Sequence, residues 1–193
     1  MTRPAESASL ASDAWGGNVA MPIDPNEWER HITLSDRRAV YIRPIRPDDE
    51  SLYAPFLAKV TPEDLRLRFF GPEKDFGHAF LIRFTQIDYA RAMAFIALDE
   101  ATGEMLGVAR LHDNADNISA EFAILVRSDL KTHGLGWQLM QMIISYGRAK
   151  GLRSIEGQVL HENTTMLEMC KELGFEMSSV PDASYICAVQ LRL

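Results

Sequence analysis

Ile124-Leu125-Val126-Arg127-Ser128-Asp129-Leu130-Lys131-Thr132-His133-Gly134-Leu135-Gly136-Trp137 changes period in its middle. The first three residues continue an apolar run of the kind a buried strand carries, and the last ones open a segment, Gly136 to Lys150, whose apolar residues recur at helical spacing. A loop and two glycines lie between. Glycines at 134 and 136 remove side chains where backbone approaches a ligand, and the first helical turn offers unpaired N–H groups at the positive end of a helix dipole. A pyrophosphate fits such a turn. A nucleotide P-loop is excluded, because GxxxxGK followed by Ser or Thr occurs nowhere, and a Rossmann GxGxxG fails because position 139 is leucine. Glycines also open helices for conformational reasons alone, so the turn needs companions before it becomes a site.

Outward from this stretch the elements alternate in a definite order. Upstream lie three strand-like runs, Ala92 to Leu98, Met105 to Leu111 and Ile118 to Val126, joined at Thr102-Gly103 and at Asp113-Asn114-Ala115-Asp116-Asn117. Downstream, Ile155 to Leu160 reads as a strand, Asn163 to Leu173 as a helix closed by Gly174, and Tyr185 to Leu191 as a last strand. Nearer the start, Val40 to Arg43 is β-prone, and Leu52, Tyr53, Phe56, Leu57 and Val60 recur at helical spacing. Thr61-Pro62-Glu63-Asp64 opens a second helix, with a threonine cap and proline at the first helical position. A third helix spans roughly Phe76 to Phe84. The order predicts an α+β domain with a mixed central sheet, an antiparallel meander feeding a strand-helix-strand unit, flanked by helices. Residues 1–35, rich in small and polar residues, are expected to form a flexible arm, and residues 36–193 the domain.

The 193 residues suffice for one core, with 47% hydrophobic and 24% charged residues in the range of globular proteins. A net charge of -7 opposes broad contact with nucleic acid or an anionic membrane, so an anionic ligand must be held by local donors. Cys170 and Cys187 form neither a CxxC nor a metal-spaced cluster, so no metal is expected. No apolar run approaches the roughly 20 residues of a membrane span, and the first thirty residues lack a secretory pattern. The expected location is the cytoplasm.

The turn Lys131-x-x-Gly134-x-Gly136 resembles the signature of the GNAT superfamily of N-acetyltransferases, in which glutamine or arginine more often stands where Lys131 does. Asn163 with Leu173-Gly174-Phe175 matches a second motif of that family, an asparagine opening a helix that ends in leucine-glycine-phenylalanine. Tyr41 to Asp49, Leu65-Arg66-Leu67-Arg68-Phe69-Phe70 and Ala120-Glu121-Phe122-Ala123 resemble the acetyltransferase domain of bacterial Pat-type protein lysine acetyltransferases. The likeness covers roughly residues 36–193. It implies acetyl-CoA as acyl donor, held by Ile124, Leu125, Val126, Lys131, Thr132, His133, Gly134, Leu135, Gly136, Trp137 and Asn163. A branched side chain at 134 is then expected to block phosphate while sparing the fold. The resemblance also implies a catalytic role for Glu121 and a protein lysine, such as one on an acyl-CoA synthetase, as acceptor.

Each candidate has a plainer reading. Asn163 is complete as a helix N-cap, a role compatible with a coenzyme A contact. Glu121 otherwise reads as a solvated strand charge. Many GNAT enzymes carry a tyrosine where Cys170 stands, as general acid for the leaving thiolate; Cys170, among Met166, Leu167, Met169 and Leu173, reads as a buried small hydrophobe. His112, His133 and His161 have no partner at ligand spacing. Two function classes follow: an acetyltransferase acting on a protein lysine or a small amine by direct attack, and a coenzyme A-binding module that has lost catalysis.

Overall fold

The structure, a computed structural model, describes residues 25–71 and 77–193. One eight-stranded sheet runs through it: β1 (Arg30–Thr33), β2 (Ala39–Pro44), β3 (Ala92–Asp99), β4 (Met105–Asp113), β5 (Ser119–Val126), β6 (Ser154–Leu160), β7 (Glu176–Ser179) and β8 (Ile186–Arg192). Their order is β1-β2-β3-β4-β5-β6-β8-β7. Every neighbouring pair is antiparallel except β5 and β6. That parallel pair is the strand-helix-strand unit expected from the sequence, since antiparallel neighbours need only a turn and parallel ones a crossover helix. The mixed α+β architecture is as expected.

Among the described residues five α-helices cover the two faces: α1 (Glu50–Leu57), α2 (Pro62–Phe69), α3 (His78–Thr85), α4 (Leu135–Lys150) and α5 (Thr164–Glu172). The crossover helix α4 packs on β3 to β6 and buries Leu135, Leu139, Met140, Ile143 and Ile144 at helical spacing. With Cys170 and Phe175, at and just beyond α5, these form one core. On the opposite face, Tyr53 and Phe56 of α1, Leu65 of α2 and Leu81 of α3 pack on Ala94, Ile96, Val108 and Leu125. Odd-numbered and even-numbered residues of β5 thereby serve different cores, as a strand buried on both faces requires.

The sheet begins before the boundary expected at residue 36. Four residues, Arg30 to Thr33, pair with Val40 and its neighbours, and Trp28 packs against Phe95 and Tyr146 with ring centroids 6.1 and 5.2 Å away. Such a strand is too short and too polar to announce itself; the free edge of β2 supplies its reason to form. Strand β7, whose burial pattern is exposed throughout, is the other element that the sequence hid. The rest of the expected arm, residues 1–24, lies outside the described residues, as does Phe76 at the expected start of α3.

Strands β5 and β6 pair only from Ser119–Glu121 to Ser154–Glu156 and then part. Beyond that point β5 keeps its bonds to β4 as far as Val126, and β6 keeps its bonds to β8 as far as Leu160. Phe122 is the wedge. A Cβ on Gly157 would lie 2.7 Å from the Phe122 ring, so only glycine lets the ring sit against the β6 backbone. The gap that opens there is the mouth of the site.

Candidate active site

Past the wedge, β5 is a strand with one bonded edge and one open edge. Asn114 donates its N–H to the Ser119 carbonyl and Arg127 donates to the Leu106 carbonyl, both at 2.9 Å, which fixes the odd-numbered residues of β5 as those bonded to β4. By the alternation of an antiparallel ladder, the backbone groups of Phe122, Ile124 and Val126 face the gap. A chain of amides laid into the gap has donors and acceptors waiting there.

One end of the gap is closed by the glycine turn. Gly134 has φ +91°, and a Cβ there would meet nothing within 4 Å, so the glycine is required by backbone conformation before any ligand is considered. A valine at 134 would therefore strain the turn itself, contrary to the expectation that the fold is spared. Gln138 donates to the Gly134 carbonyl, leaving the N–H groups of Leu135, Gly136 and Trp137 as the free first turn of α4. Gly136 carries no such strain, and a Cβ there would have 4.0 Å of clearance to both Val126 and Met169.

A cavity of about 660 Å³ runs from this turn along the open edge of β5, between α2 and α5. Of the residues singled out from the sequence, Glu121, Ile124, Leu125, Val126, Lys131, Thr132, Gly134, Gly136, Trp137 and Asn163 line it. His133 and Leu135 do not. The Leu135 side chain is wholly buried in the core, and the His133 ring lies with Nδ1 3.0 Å from the Lys131 carbonyl. Asn163 caps α5 by accepting the Met166 N–H at 3.2 Å through its carbonyl oxygen, which leaves its amide N–H groups for a ligand.

The long side chain at the start of the turn has a partner of its own. Lys131 forms an ion pair with Asp64 of α2, which also accepts the Ser128 hydroxyl. Burial opposes charge on Asp64, yet its bonds from Lys131 and Ser128 prevail and hold it below the usual carboxylate range. Lys131 thus ties the turn to α2, and the N–H groups of the first turn of α4 are the donors that the turn leaves available.

Glu121 stands at the last paired position of β5, exposed, where the strands part. His112 of β4 is its cross-strand partner and Arg110 pairs with Ala123, so Arg110, His112 and Glu121 share one face. The His112 Nδ1 lies 3.0 Å from the Asp113 carbonyl, which can only accept, so Nδ1 carries the proton and Nε2 is left free. Cys170 is fully buried, lies outside the cavity, and has its thiol pushed up to about 12 by burial. It is the small hydrophobe that its neighbours suggested, with no access to acid or nucleophile chemistry.

Arg68 and Arg110 were not expected in the site, and both line the cavity. For Arg110 a signal existed: it interrupts the otherwise apolar first seven residues of β4, Met105 to Leu111. For Arg68 there was none, since basic residues on a short polar helix usually face water. Among the described residues, no group of His, Cys, Asp and Glu is suited to a metal ion, and no helix is long and apolar enough to cross a membrane.

A parted parallel strand pair, a glycine turn aimed into the gap and an asparagine-capped helix beyond it define an acyl-CoA dependent N-acetyltransferase. The chain belongs to the acetyltransferase (GNAT) family, whose model matches residues 61–175. It is 32% identical over 164 residues to Acetyltransferase PA5475 of Pseudomonas aeruginosa, covering 84% of this chain and 87% of that protein. An L-methionine sulfoximine/L-methionine sulfone acetyltransferase of the same species is 32% identical over 87 residues, 43% of this chain and 51% of that protein. In fold it is similar to the GNAT domain of S. lividans PAT, with a TM-score of 0.80 and 24% identity over 89% of this chain and all of that one. It is also similar to a cAMP-binding acyltransferase from Mycobacterium smegmatis, TM-score 0.59 at 21% identity, of which it spans 47% while 85% of this chain is covered.

Proposed function

We propose that this chain transfers the acetyl group of acetyl-CoA to a primary amine by direct attack, with Glu121 as general base. What carries the reading is the position of Glu121: a carboxylate where β5 and β6 part, one strand from His112 and next to the open backbone edge. The donor's pyrophosphate would sit on the N–H groups of Leu135, Gly136 and Trp137, and its amide-bearing arm along Phe122 to Val126, beside Asn163. The neutral amine nitrogen attacks the thioester carbonyl, the C–N bond forms and the C–S bond breaks. The amine's proton passes to Glu121, directly or through water, and the departing thiolate is protonated as coenzyme A leaves. An amine with a pKa of about 10.4 is neutral in only about one molecule in a thousand near pH 7, so a base there has work to do.

Two acceptors have support. The resemblance of Tyr41 to Asp49, Leu65 to Phe70 and Ala120 to Ala123 to Pat-type protein lysine acetyltransferases favours a protein lysine, such as one on an acyl-CoA synthetase in the cytoplasm. A small amine is favoured by the arginines recessed in the cavity and by the relative that acts on L-methionine sulfoximine. The test of the common core is Glu121→Gln, which keeps shape and loses the base. Its kcat should fall about a hundredfold, with the deficit shrinking as pH rises, while acetyl-CoA affinity by calorimetric titration is unchanged. Wild-type turnover with chemistry rate-limiting would return Glu121 to a solvated strand charge. Gly136→Ala tests the donor half: affinity for acetyl-CoA should fall about tenfold or more with the fold retained, because the added Cβ has 4.0 Å of clearance to protein and would stand where phosphate binds.

A further inference from the structure

Glu121 shares its face of the sheet with two guanidinium groups that no carboxylate contacts among the described residues. Arg110 donates to the Phe84 carbonyl at 2.7 Å and to the Arg83 carbonyl at 3.4 Å, and stacks 4.9 Å over the Phe84 ring. Those carbonyls orient the group without cancelling its charge. Arg68 stacks 4.9 Å over the Phe69 ring, and among the described residues it has neither a hydrogen bond nor an ion pair. Beside them a second cavity of about 20 Å³, room for roughly one water, shares Arg68, Arg110, Ala123 and Leu125 with the main one. Tyr53 lines it, only 3% exposed, with its hydroxyl beside the Arg110 guanidinium but in no hydrogen bond of good geometry and with no acceptor for its own proton among the described residues. A buried hydroxyl without an acceptor and two recessed cations without an anion are each unfavourable alone.

Together they are suited to one small anion. Burial and the charge of Arg110 pull Arg68 down to about 10, and burial lowers Arg110 as well, so the two guanidinium groups are recessed and repel one another. A carboxylate between them would relieve that repulsion and give the Tyr53 hydroxyl an acceptor. Planar guanidinium groups suit a carboxylate in two-pronged geometry. Glu121 lies within the field of Arg68 and lines the same cavity, so an anion held by the arginines has its attached groups delivered toward the base.

We propose that Arg68, Arg110 and Tyr53 form a carboxylate subsite, and that the acceptor is a free amino acid whose carboxylate docks there with its amine turned to Glu121. The proposal rests on the amine-acetylation reading for the reaction and goes beyond it in naming the acceptor. A free amino acid carries its amine and its carboxylate on one carbon, which suits a cavity lined by Arg68, Arg110 and Glu121 together; a lysine beside an acidic residue in a protein is the competing occupant that the test separates.

The test uses the full chain, acetyl-CoA and three sets of amines: the L-α-amino acids, their α-carboxamides, and peptides with lysine next to aspartate or glutamate, with thiol release as readout. At least one free amino acid should show kcat/KM about 10- to 100-fold above its carboxamide, the span expected for a charge-assisted contact. In Arg68→Gln the KM for that acid should rise by a similar factor with kcat within about threefold, and Arg68→Lys should recover part of the loss. Equal turnover of acids and carboxamides overturns the subsite while the acetyltransferase reading stands. Acetylation confined to the peptides overturns the free amino acid as acceptor. Should no amine turn over, the acetylation reading fails, and calorimetric titration with N-acetyl-L-amino acids decides the subsite separately. Binding that is lost in Arg68→Gln and in Tyr53→Phe upholds it, and no binding to the wild-type chain overturns it.

Discussion

Arg43 and the pair Arg68 and Arg110 are recessed arginines with opposite fates. Arg43, at the end of β2, donates two bonds to Asp49 at 2.7 and 2.6 Å and a third to the Pro44 carbonyl at 3.0 Å. Its side chain is 9% exposed and that of Asp49 is 5% exposed. The hydrogen bonds to Asp49 lift the Arg43 guanidinium above its ordinary range, whereas burial takes Arg68 and Arg110 below theirs. The first arrangement is closed: the anion that neutralises the cation is part of the chain, and it fastens β2 to the start of α1. The second is open, suited to an anion that no contacting carboxylate of the described residues supplies. Whether a buried charge has an internal partner thus separates scaffold from site better than burial does.

Three measurements would break or sharpen that contrast. The largest effect is expected from Asp49→Ala, which leaves Arg43 buried without a counterion and should cost about 3–5 kcal/mol in urea unfolding. A loss below about 1 kcal/mol would show that water replaces the partner and that the two regions differ less than their geometry suggests.

Asp64 is the intermediate case, a buried carboxylate paired with a half-exposed lysine. Asp64→Asn should cost about 1–2 kcal/mol near pH 7, discounted because Lys131 is 49% exposed. Since Asp64 is held below its unfolded pKa of about 3.9, its contribution is fully present above that pH. It is lost as pH falls through the lower folded value. Thermal unfolding of the two proteins should converge in acid; a gap that persists there would assign the loss to packing.

The smallest effect is expected at Arg68. Arg68→Met removes a cation with no partner, giving up a ring contact worth about 0.5–1 kcal/mol and relieving repulsion with Arg110 of similar size. Stability should stay within about 1 kcal/mol of wild type or rise. A loss as large as that of Asp49→Ala would place Arg68 in the scaffold and remove the contrast.

Local signals announced most of the strands and helices and both ends of the main cavity. Period changes mark β3, β4, β5 and α4, and Gly134, Gly136 and Asn163 mark the helix starts, because caps and turns are chosen by backbone conformation within a few residues. Strands β1 and β7 were hidden, since each is four residues long and gains its bonds from a neighbour's free edge. The limits of such signals show at Lys131, whose type suits a phosphate and whose ammonium instead meets Asp64, 67 residues away. They show again at His133 and Leu135, inside the motif yet outside the cavity.

By itself the sequence determined the alternation of strands and helices, the glycine turn and the residue types available for chemistry, all of which rest on near neighbours. Only the tertiary structure decided where β5 leaves β6, because that depends on Phe122 meeting Gly157, 35 residues apart. It alone brought Tyr53, Arg68, Arg110 and Glu121, from two helices and two strands, around two adjoining cavities that share the arginines. A side chain's identity says what it can bind; whether the fold supplies or withholds its partner is settled by distances that no local pattern encodes.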